Sequence, residues 1–210
     1  MRIDFDPETT SSPDFYRLLT ATVVPRPIAW VSTLSADGVA NVAPHSFYTV
    51  SSAAPPIVQF TSVGTKDSLR NAVETGEFVV NFASESQFAE INDSATDFPP
   101  EEGEFAAVGI AQEPSALVKP PRVAGSPVAI ECRLHSTVGF GVSTVVFGRV
   151  LRIAIDEAVL VDGHPEITRL RPLARLGRNE WGTVGDLLDQ GRIRHAEWRE
   201  GVRTPKGDRS

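Results

Sequence analysis

The chain of 210 residues carries 20 basic and 27 acidic side chains, which gives a formal net charge of −7. Hydrophobic residues make up 41% of the chain and charged residues 22%, a composition that is typical of a folded globular domain and excludes a disordered or fibrous protein. No block of Lys and Arg marks a nucleic-acid surface, no apolar stretch reaches the roughly 18 residues of a membrane helix, and no signal core opens the chain. We therefore expect a cytoplasmic protein that binds neither nucleic acid nor a membrane.

The first half of the chain alternates short helical and β-rich segments. "SSPDFYRLLTATV" predicts a short helix that Ser12 caps, and "PIAWVSTL" and "VANVAPHSFYTV" predict a hairpin around Asp37 and Gly38. "PPIVQFTS" and "EFVVNFA" predict two more strands. The segment between them, "GTKDSLRNAVETG", has helical spacing, so we expect a helix that Thr65 caps and Gly76 ends.

The second half is dominated by two long β-rich runs. "SESQFAEINDS" predicts a short helix and "DFPPEEGEF" an acidic loop, after which "SPVAIECRLHSTVGF" and "VSTVVFGRVLRIAI" predict a hairpin. Six or seven strands with a few short helices favour a mainly β protein, built as a closed or partly closed antiparallel barrel. We expect a single domain over residues 1–190. The polar residues 191–210 predict a tail of weak order, either a mobile end or a helix that contacts a partner.

The sequence offers no metal centre. The four histidines, at positions 45, 135, 164 and 195, form no pair with metal-binding spacing, and the single cysteine, Cys132, has no partner. "VAIECRL" instead predicts a buried strand thiol at Cys132. His45 is open to two interpretations, an acid, base or ligand contact and a structural hydrogen-bonding residue.

Hydroxyl and cationic side chains gather where the helix after the third predicted strand begins. Ser62, Thr65, Lys66 and Ser68 lie within seven positions of one another, and the N-terminus of a helix attracts anions through its free N–H groups and its dipole. This arrangement is consistent with a phosphate site. Ordinary helix capping beside a solvated lysine would produce the same pattern.

Prolines interrupt the opening hairpin. Pro25 and Pro27 flank Arg26 at its entry, and Pro44, which has no N–H group, predicts an edge or a bulge in the second strand. Such a break could expose polar groups beside the aromatic ring of Phe47 to a planar ligand, or it could simply protect a sheet edge against aggregation.

Four arginines, at positions 169, 171, 175 and 178, follow the last long strand. A solvated basic surface explains them. Arg175, which lies between apolar residues, could instead reach an anionic ligand or a partner subunit with its forked donors.

Taken together, the segments resemble one known family. "VVPRPIAWVSTLSADGVANVAPHSFYTVSS", "PPIVQF", "TKDSLRN", "GEFVVN", "SPVAIECRL" and "FGRVLRI" occur in the order seen in the flavin reductase-like family of FMN-binding split β-barrels. "RPLARLG" is similar to the branch that contains reductase components of nitrilotriacetate monooxygenase and flavoredoxin. The resemblance implies a split antiparallel barrel, a homodimer with FMN near its interface, and an NADH- or NADPH-dependent flavin reductase that supplies reduced flavin or electrons to a monooxygenase or another acceptor protein.

The resemblance also implies a set of FMN-binding residues, with no catalytic residue because the chemistry belongs to the flavin. The ring would lie against Arg26, Pro27, Asn41, Ala43, Pro44, Ser46 and Phe47, the phosphate or ribityl chain against Ser62, Lys66, Asp67 and Ser68, and Arg175 would be a further contact. Many members carry Gly-Asp-His before the last long strand, where this chain has "GVST" with Ser143 in the place of the histidine. This difference leaves open an alternative, a non-catalytic electron carrier that retains FMN.

Overall fold

A computed structural model of the protein describes residues 1–202. Seven strands form one antiparallel sheet. In chain order they are β1 (Ala29–Leu34), β2 (Ala40–His45), β3 (Tyr48–Ala53), β4 (Pro56–Val63), β5 (Glu77–Phe82), β6 (Val128–Phe140) and β7 (Ser143–Ile155). Their order across the sheet is β2-β1-β5-β6-β7-β4-β3. Both predicted hairpins, β1 with β2 and β6 with β7, are confirmed.

The sheet curls into a partly closed barrel. Its two edge strands, β2 and β3, are consecutive in the chain and are separated only by Ser46 and Phe47, so the two edges must meet at that bend. At the same place the Nδ1 atom of His45, at the end of β2, lies 3.4 Å from the Thr61 carbonyl of β4. The prediction of a mainly β, partly closed antiparallel barrel is therefore confirmed.

The strand predicted over "VANVAPHSFYTV" is in fact two strands. β2 pairs only with β1, and the chain then turns at Ser46 and Phe47 so that β3 pairs with β4. Pro44 lies on the edge strand β2, as expected of a residue that cannot donate to a ladder on both sides. The local sequence does not reveal the split because both halves are rich in β-forming residues.

Both faces of β1 are buried, which explains its nearly continuous apolar sequence. Ala29 and Val31 face the barrel interior, while Trp30 packs on the outer side against Ile91 and Phe105 from the connecting segments. Alternate residues of a strand point to opposite faces, so one strand contributes to two cores. Cys132 is fully buried in the interior, as predicted, and burial raises the pKa of its thiol to about 12.

Short helices and strands complete the described chain. The helices are α1 (Ser12–Thr22), α2 (Asp67–Thr75), α3 (Phe88–Asp93), α4 (Glu104–Val108), α5 (Ile167–Leu170) and α6 (His195–Arg199), with 3₁₀ turns at Glu85–Gln87 and Glu157–Val159. Two-residue strands lie at Arg26–Pro27, Gln112–Glu113, Arg122–Val123, Leu160–Val161, His164–Pro165, Ala174–Arg175 and Trp181–Gly182.

Two predicted helix caps are wrong. Ser11, and not Ser12, caps α1, because its side chain accepts from the Asp14 N–H. α2 begins after Lys66 and has no side-chain cap, so Thr65 does not serve that role. The predicted end of α2 is confirmed, since Gly76 adopts the left-handed conformation with φ of 75°.

The predicted tail contains one short helix, α6, within its described part, while residues 203–210 lie outside the described residues. Between residues 1 and 202, no helix is long and apolar enough to cross a membrane.

Candidate functional site

A cavity of about 250 Å³ opens where the barrel edges meet. The end of β2, the bend to β3, the end of β4 and the start of α2 form its floor and one side. The segment 94–98, which follows α3, forms the other side. Its lining residues are Tyr16, Asn41, Ala43, Pro44, His45, Ser46, Phe47, Thr61, Val63, Lys66, Asp67, Ser68, Ser94, Ala95, Thr96, Asp97, Phe98 and Glu104.

The N-terminus of α2 points into this first cavity. Lys66 precedes the helix in an extended conformation, and within residues 1–202 no side chain caps the N–H groups of the first turn. The Lys66 Nζ atom lies 2.7 Å from an Asp97 carboxylate oxygen across the cavity mouth, and this hydrogen bond lowers the pKa of Asp97. Asp67 is paired with Arg70 at 2.6 Å. The site therefore combines free backbone donors with one lysine that already holds a carboxylate.

A buried polar network ties β2 to the helices α2 and α4. The Glu104 carboxylate accepts from the Asn41 side-chain amide at 2.7 Å and from the Val42 N–H at 3.1 Å. The Ser68 hydroxyl in turn donates to the amide oxygen of Asn41 at 3.3 Å. Burial raises the pKa of Glu104, although the hydrogen bonds from backbone N–H groups oppose this effect. Glu104 therefore orients the Asn41 amide at the cavity wall.

α4 can approach β2 this closely because it is preceded by a glycine. A Cβ atom at Gly103 would lie 2.1 Å from the Ala40 carbonyl oxygen, which is far inside van der Waals contact. The absence of a side chain at Gly103 thus places Glu104 within reach of Asn41.

His45 lines the cavity and carries one buried, unsatisfied polar atom. Its Nδ1 atom lies 3.4 Å from the Thr61 carbonyl, and because a carbonyl oxygen only accepts, Nδ1 carries the proton. The Nε2 atom is buried and has no hydrogen-bond partner within residues 1–202. Burial lowers the pKa of His45 to about 4, so the ring is neutral at pH 7 and Nε2 is a free acceptor. Its ring packs against Phe60, with centroids 4.7 Å apart.

A second cavity, of about 310 Å³, adjoins the first and shares Pro44, Ser46 and Ala95 with it. Ile28, Asn92, Arg175, Asn179 and Trp181 complete its lining. The Arg175 guanidinium carbon lies 4.6 Å from the centroid of the Trp181 ring, a cation–π contact. Burial, and then the nearby charge of Arg26, lower the pKa of Arg175.

Arg26 does not line either cavity. Its side chain is buried and donates to the carbonyl oxygens of Thr20, Val23 and Leu176, at 3.1 Å and 2.8 Å for the last two. It also lies 3.5 Å from the Ser46 hydroxyl. In this structure Arg26 therefore connects three segments: the end of α1, the segment after Ala174–Arg175, and the bend between β2 and β3.

The structure brings most of the predicted site residues together. The first cavity is lined by Asn41, Ala43, Pro44, Ser46, Phe47, Lys66, Asp67 and Ser68, whereas Arg175 lies in the second cavity. Pro27 is exposed and lines neither cavity, and Ser62 is fully buried, where its hydroxyl donates to the Gly64 carbonyl at 2.9 Å. Because a strand alternates its faces, Thr61 and Val63 line the cavity in place of Ser62.

Sequence reasoning missed the cavity wall formed by residues 94–98 and Glu104. These residues lie in the segment predicted only as a short helix and an acidic loop. The single available signal was the glycine before Glu104, and its meaning depends on the distant Ala40 carbonyl. Tyr16, whose ring lies 6.4 Å from that of Phe47, was likewise assigned only to a helix.

Comparison with known proteins assigns the chain to a family. The family described as "Flavin reductase like domain" matches residues 21–170. An uncharacterized protein of Halalkalibacterium halodurans is 36% identical over 207 residues, covering 93% of this chain and 99% of that protein. Among solved structures, nitrilotriacetate monooxygenase component B from Bacillus cereus matches with a TM-score of 0.87 and 30% identity, covering 90% of this chain and 98% of that chain. The 2-nitrobenzoate 2-nitroreductase of Pseudomonas fluorescens matches with a TM-score of 0.86 and 27% identity, covering 92% and 98%. With the family match over most of the chain, this protein belongs to the flavin reductase-like family.

Proposed function

We propose that the protein binds FMN in the first cavity and acts as an NADH- or NADPH-dependent flavin reductase. One observation carries this proposal: the uncapped N-terminus of α2 and Lys66 face a cavity whose opposite end is the bend at Pro44, Ser46 and Phe47. Anion-binding donors at one end and an aromatic, backbone-lined surface at the other suit a molecule with a phosphate and a planar ring. Membership in the flavin reductase-like family supports the same assignment.

The lining residues fit the parts of FMN. The free N–H groups of the first turn of α2, together with Lys66, would hold the phosphate. Asn41, Asp67 and Ser68 offer polar groups for the ribityl chain, and Ala43, Pro44, Ser46 and Phe47 would border the ring. The Nε2 atom of His45 has no hydrogen-bond partner within residues 1–202, but it is buried and therefore not exposed to the cavity.

Bound FMN would supply the hydride chemistry, so the chain itself needs no catalytic acid or base. The chain's own contribution is to bind FMN and to orient it. Glu104 holds the Asn41 amide in one orientation, and the short bend at Ser46 and Phe47 leaves the ring region accessible from the second cavity. Because His45 is neutral at pH 7, this side chain adds no charge to the cavity wall.

An electron carrier that retains FMN is the second candidate. Ser143 stands where many family members have histidine, and it pairs with Val63, a residue that lines the first cavity. At this position a hydroxyl replaces the imidazole on the strand beside Val63. This observation favours a protein that uses a nicotinamide cofactor poorly.

We also propose that the protein is a cytoplasmic homodimer, with FMN near the subunit interface, that serves an electron-acceptor protein. The name of the Bacillus cereus structure, component B of a monooxygenase, supports a monooxygenase as that acceptor. Sedimentation of the purified protein with and without FMN tests the dimer directly, and a monomer under both conditions would refute it.

Titration with FMN and with riboflavin tests the cofactor site. In Lys66→Ala, the affinity for FMN should fall by about 1–2 kcal/mol, which is about five- to thirtyfold in Kd, because the lysine is partly exposed and solvent screens its charge. Riboflavin has no phosphate and should bind the variant as it binds the parent. Lys119→Ala, which removes an exposed lysine outside the cavity, is the matched control. Equal losses for both ligands would show that Lys66 does not hold the phosphate.

An anaerobic assay with NADH, NADPH and FMN separates the two candidate functions. A reductase oxidises nicotinamide and turns over added free FMN. A carrier keeps FMN through dialysis and shows no nicotinamide oxidation with added flavin. If the protein does not change the fluorescence of FMN at concentrations up to tens of micromolar, both candidate functions are excluded.

A further inference from the structure

The second cavity contains a positive charge that the described chain does not neutralise. Among residues 1–202, Arg175 is the only charged residue in its lining. Across residues 1–202, no carboxylate lies within ion-pairing distance of Arg175 or of the adjacent Arg26, although six other ion pairs form there. Arg26 is satisfied by three carbonyl oxygens, whereas the Arg175 side chain makes one hydrogen bond within the described chain, to the Arg178 carbonyl at 3.0 Å. Most of the Arg175 donors therefore remain open to a ligand.

The guanidinium of Arg175 is also held in place before any ligand arrives. Arg175 pairs with Arg26 on one side and with Trp181 on the other in a three-stranded sheet, and its guanidinium lies over the Trp181 ring. Arg26 pairs directly with Arg175, and the two positive charges raise the electrostatic potential at this point. Burial lowers the pKa of Arg175, and the charge of Arg26 lowers it further. A planar fork stacked on an indole loses little conformational freedom on binding an anion.

The remaining lining indicates what shape of anion would fit. Ile28 and Pro44 provide apolar surface, and Asn92 and Asn179 provide two amides. In the part of the chain that the structure describes, neither a helix N-terminus nor a second charged side chain lines the cavity, so the site has less positive charge than a typical phosphate site. A carboxylate suits a single guanidinium, which binds it with two parallel hydrogen bonds.

We propose that the second cavity binds a small planar carboxylate, such as an aromatic acid, with the carboxylate on Arg175 and the ring beside Trp181. This site goes beyond the proposed FMN site: it holds a different ligand, next to the first cavity across Pro44, Ser46 and Ala95. The family resemblance places Arg175 among the FMN contacts. In this proposal Arg175 instead binds the carboxylate of a second ligand, which lies beside the FMN site.

Binding of benzoate to the FMN-free protein tests this site independently of the proposed function. Benzamide is the matched neutral ligand. Chemical shifts of the Trp181 indole N–H, assigned with Trp181→Phe, report binding at the site itself. In Arg175→Gln the Kd for benzoate should rise about tenfold, since a charge-assisted pair is lost, while binding of benzamide should change less than twofold. Arg175→Lys, which keeps the charge and loses the fork, should fall between the parent and Arg175→Gln.

Arg178→Gln is the control, since it removes a positive charge three residues away that lines neither cavity and leaves its backbone carbonyl in place. Thermal unfolding of each variant checks that the fold is intact. Equal affinity for benzoate and benzamide, or an unchanged benzoate Kd in folded Arg175→Gln, would overturn the proposal. Benzoate binding that persists after FMN is loaded supports a separate site, and its loss on loading would assign Arg175 to FMN instead.

Discussion

Gly148 of β7 lies where the barrel interior has no room for a side chain. A Cβ atom there would be 2.2 Å from Cζ of Phe78, 2.8 Å from its Cε1 and 3.0 Å from Cβ of Cys132. Phe78 is fully buried and packs edge-on against Phe60 with centroids 5.4 Å apart, so its ring cannot swing aside. Gly148→Ala should therefore lower the free energy of unfolding by about 2–3 kcal/mol, the usual cost of overpacking a core.

Gly139 provides a matched control in the partner strand β6. It is exposed, and a Cβ atom there would meet no atom within 4 Å. Gly139→Ala should change the free energy of unfolding by less than about 0.5 kcal/mol. Urea denaturation monitored by circular dichroism measures both variants, and the double variant Gly148→Ala with Phe78→Leu should recover part of the loss, because the smaller side chain relieves the contact. A Gly148→Ala protein as stable as Gly139→Ala would refute the packing argument.

Two further predictions concern the first cavity. Asp97→Asn should lower the Kd for FMN about two- to fivefold and leave riboflavin unchanged, because the phosphate no longer competes with a carboxylate for Lys66; weaker FMN binding in fluorescence titrations would contradict this. Burial lowers the pKa of His45 from 6.5 to about 4. As the pH falls from 6.5 towards 4, His45 therefore becomes protonated in the unfolded chain but stays neutral in the folded chain. The free energy of unfolding should thus drop by about 2 kcal/mol between pH 7 and pH 5 through this residue, and His45→Gln should flatten the profile in urea titrations; parallel profiles would rule out this role for His45.

The order of the elements follows from local patterns. The turn residues Asp37 and Gly38, the left-handed Gly76 and the apolar runs of β6 and β7 each act over a few positions, and the structure has the elements that they predict. The errors are also local in origin. Ser11 and Ser12 are equivalent as caps by residue type, and only the backbone geometry selects Ser11.

Most members of the candidate site lie in segments whose residue order resembles the family. Asn41, Ala43, Pro44, Ser46 and Phe47 converge with Lys66, Asp67 and Ser68 because β2 and the start of α2 meet at one end of the barrel. Ser62 shows the limit of such reasoning, since a shift of one residue along a strand moves a side chain from the cavity to the core.

The sequence by itself determined the family, the antiparallel hairpins and the placement of Pro44 at an edge or a bulge, because these depend on turn chemistry, alternation and the missing N–H of proline. Only the tertiary structure decided which distant groups meet. Three contacts depend on how the barrel and its connecting segments pack. They are the ion pair of Lys66 with Asp97, the hydrogen bond of Asn41 to Glu104 and the stacking of Arg175 over Trp181 in the second cavity. Local residue preferences carry no information about such contacts, since each one joins elements whose separate sequences are compatible with many partners.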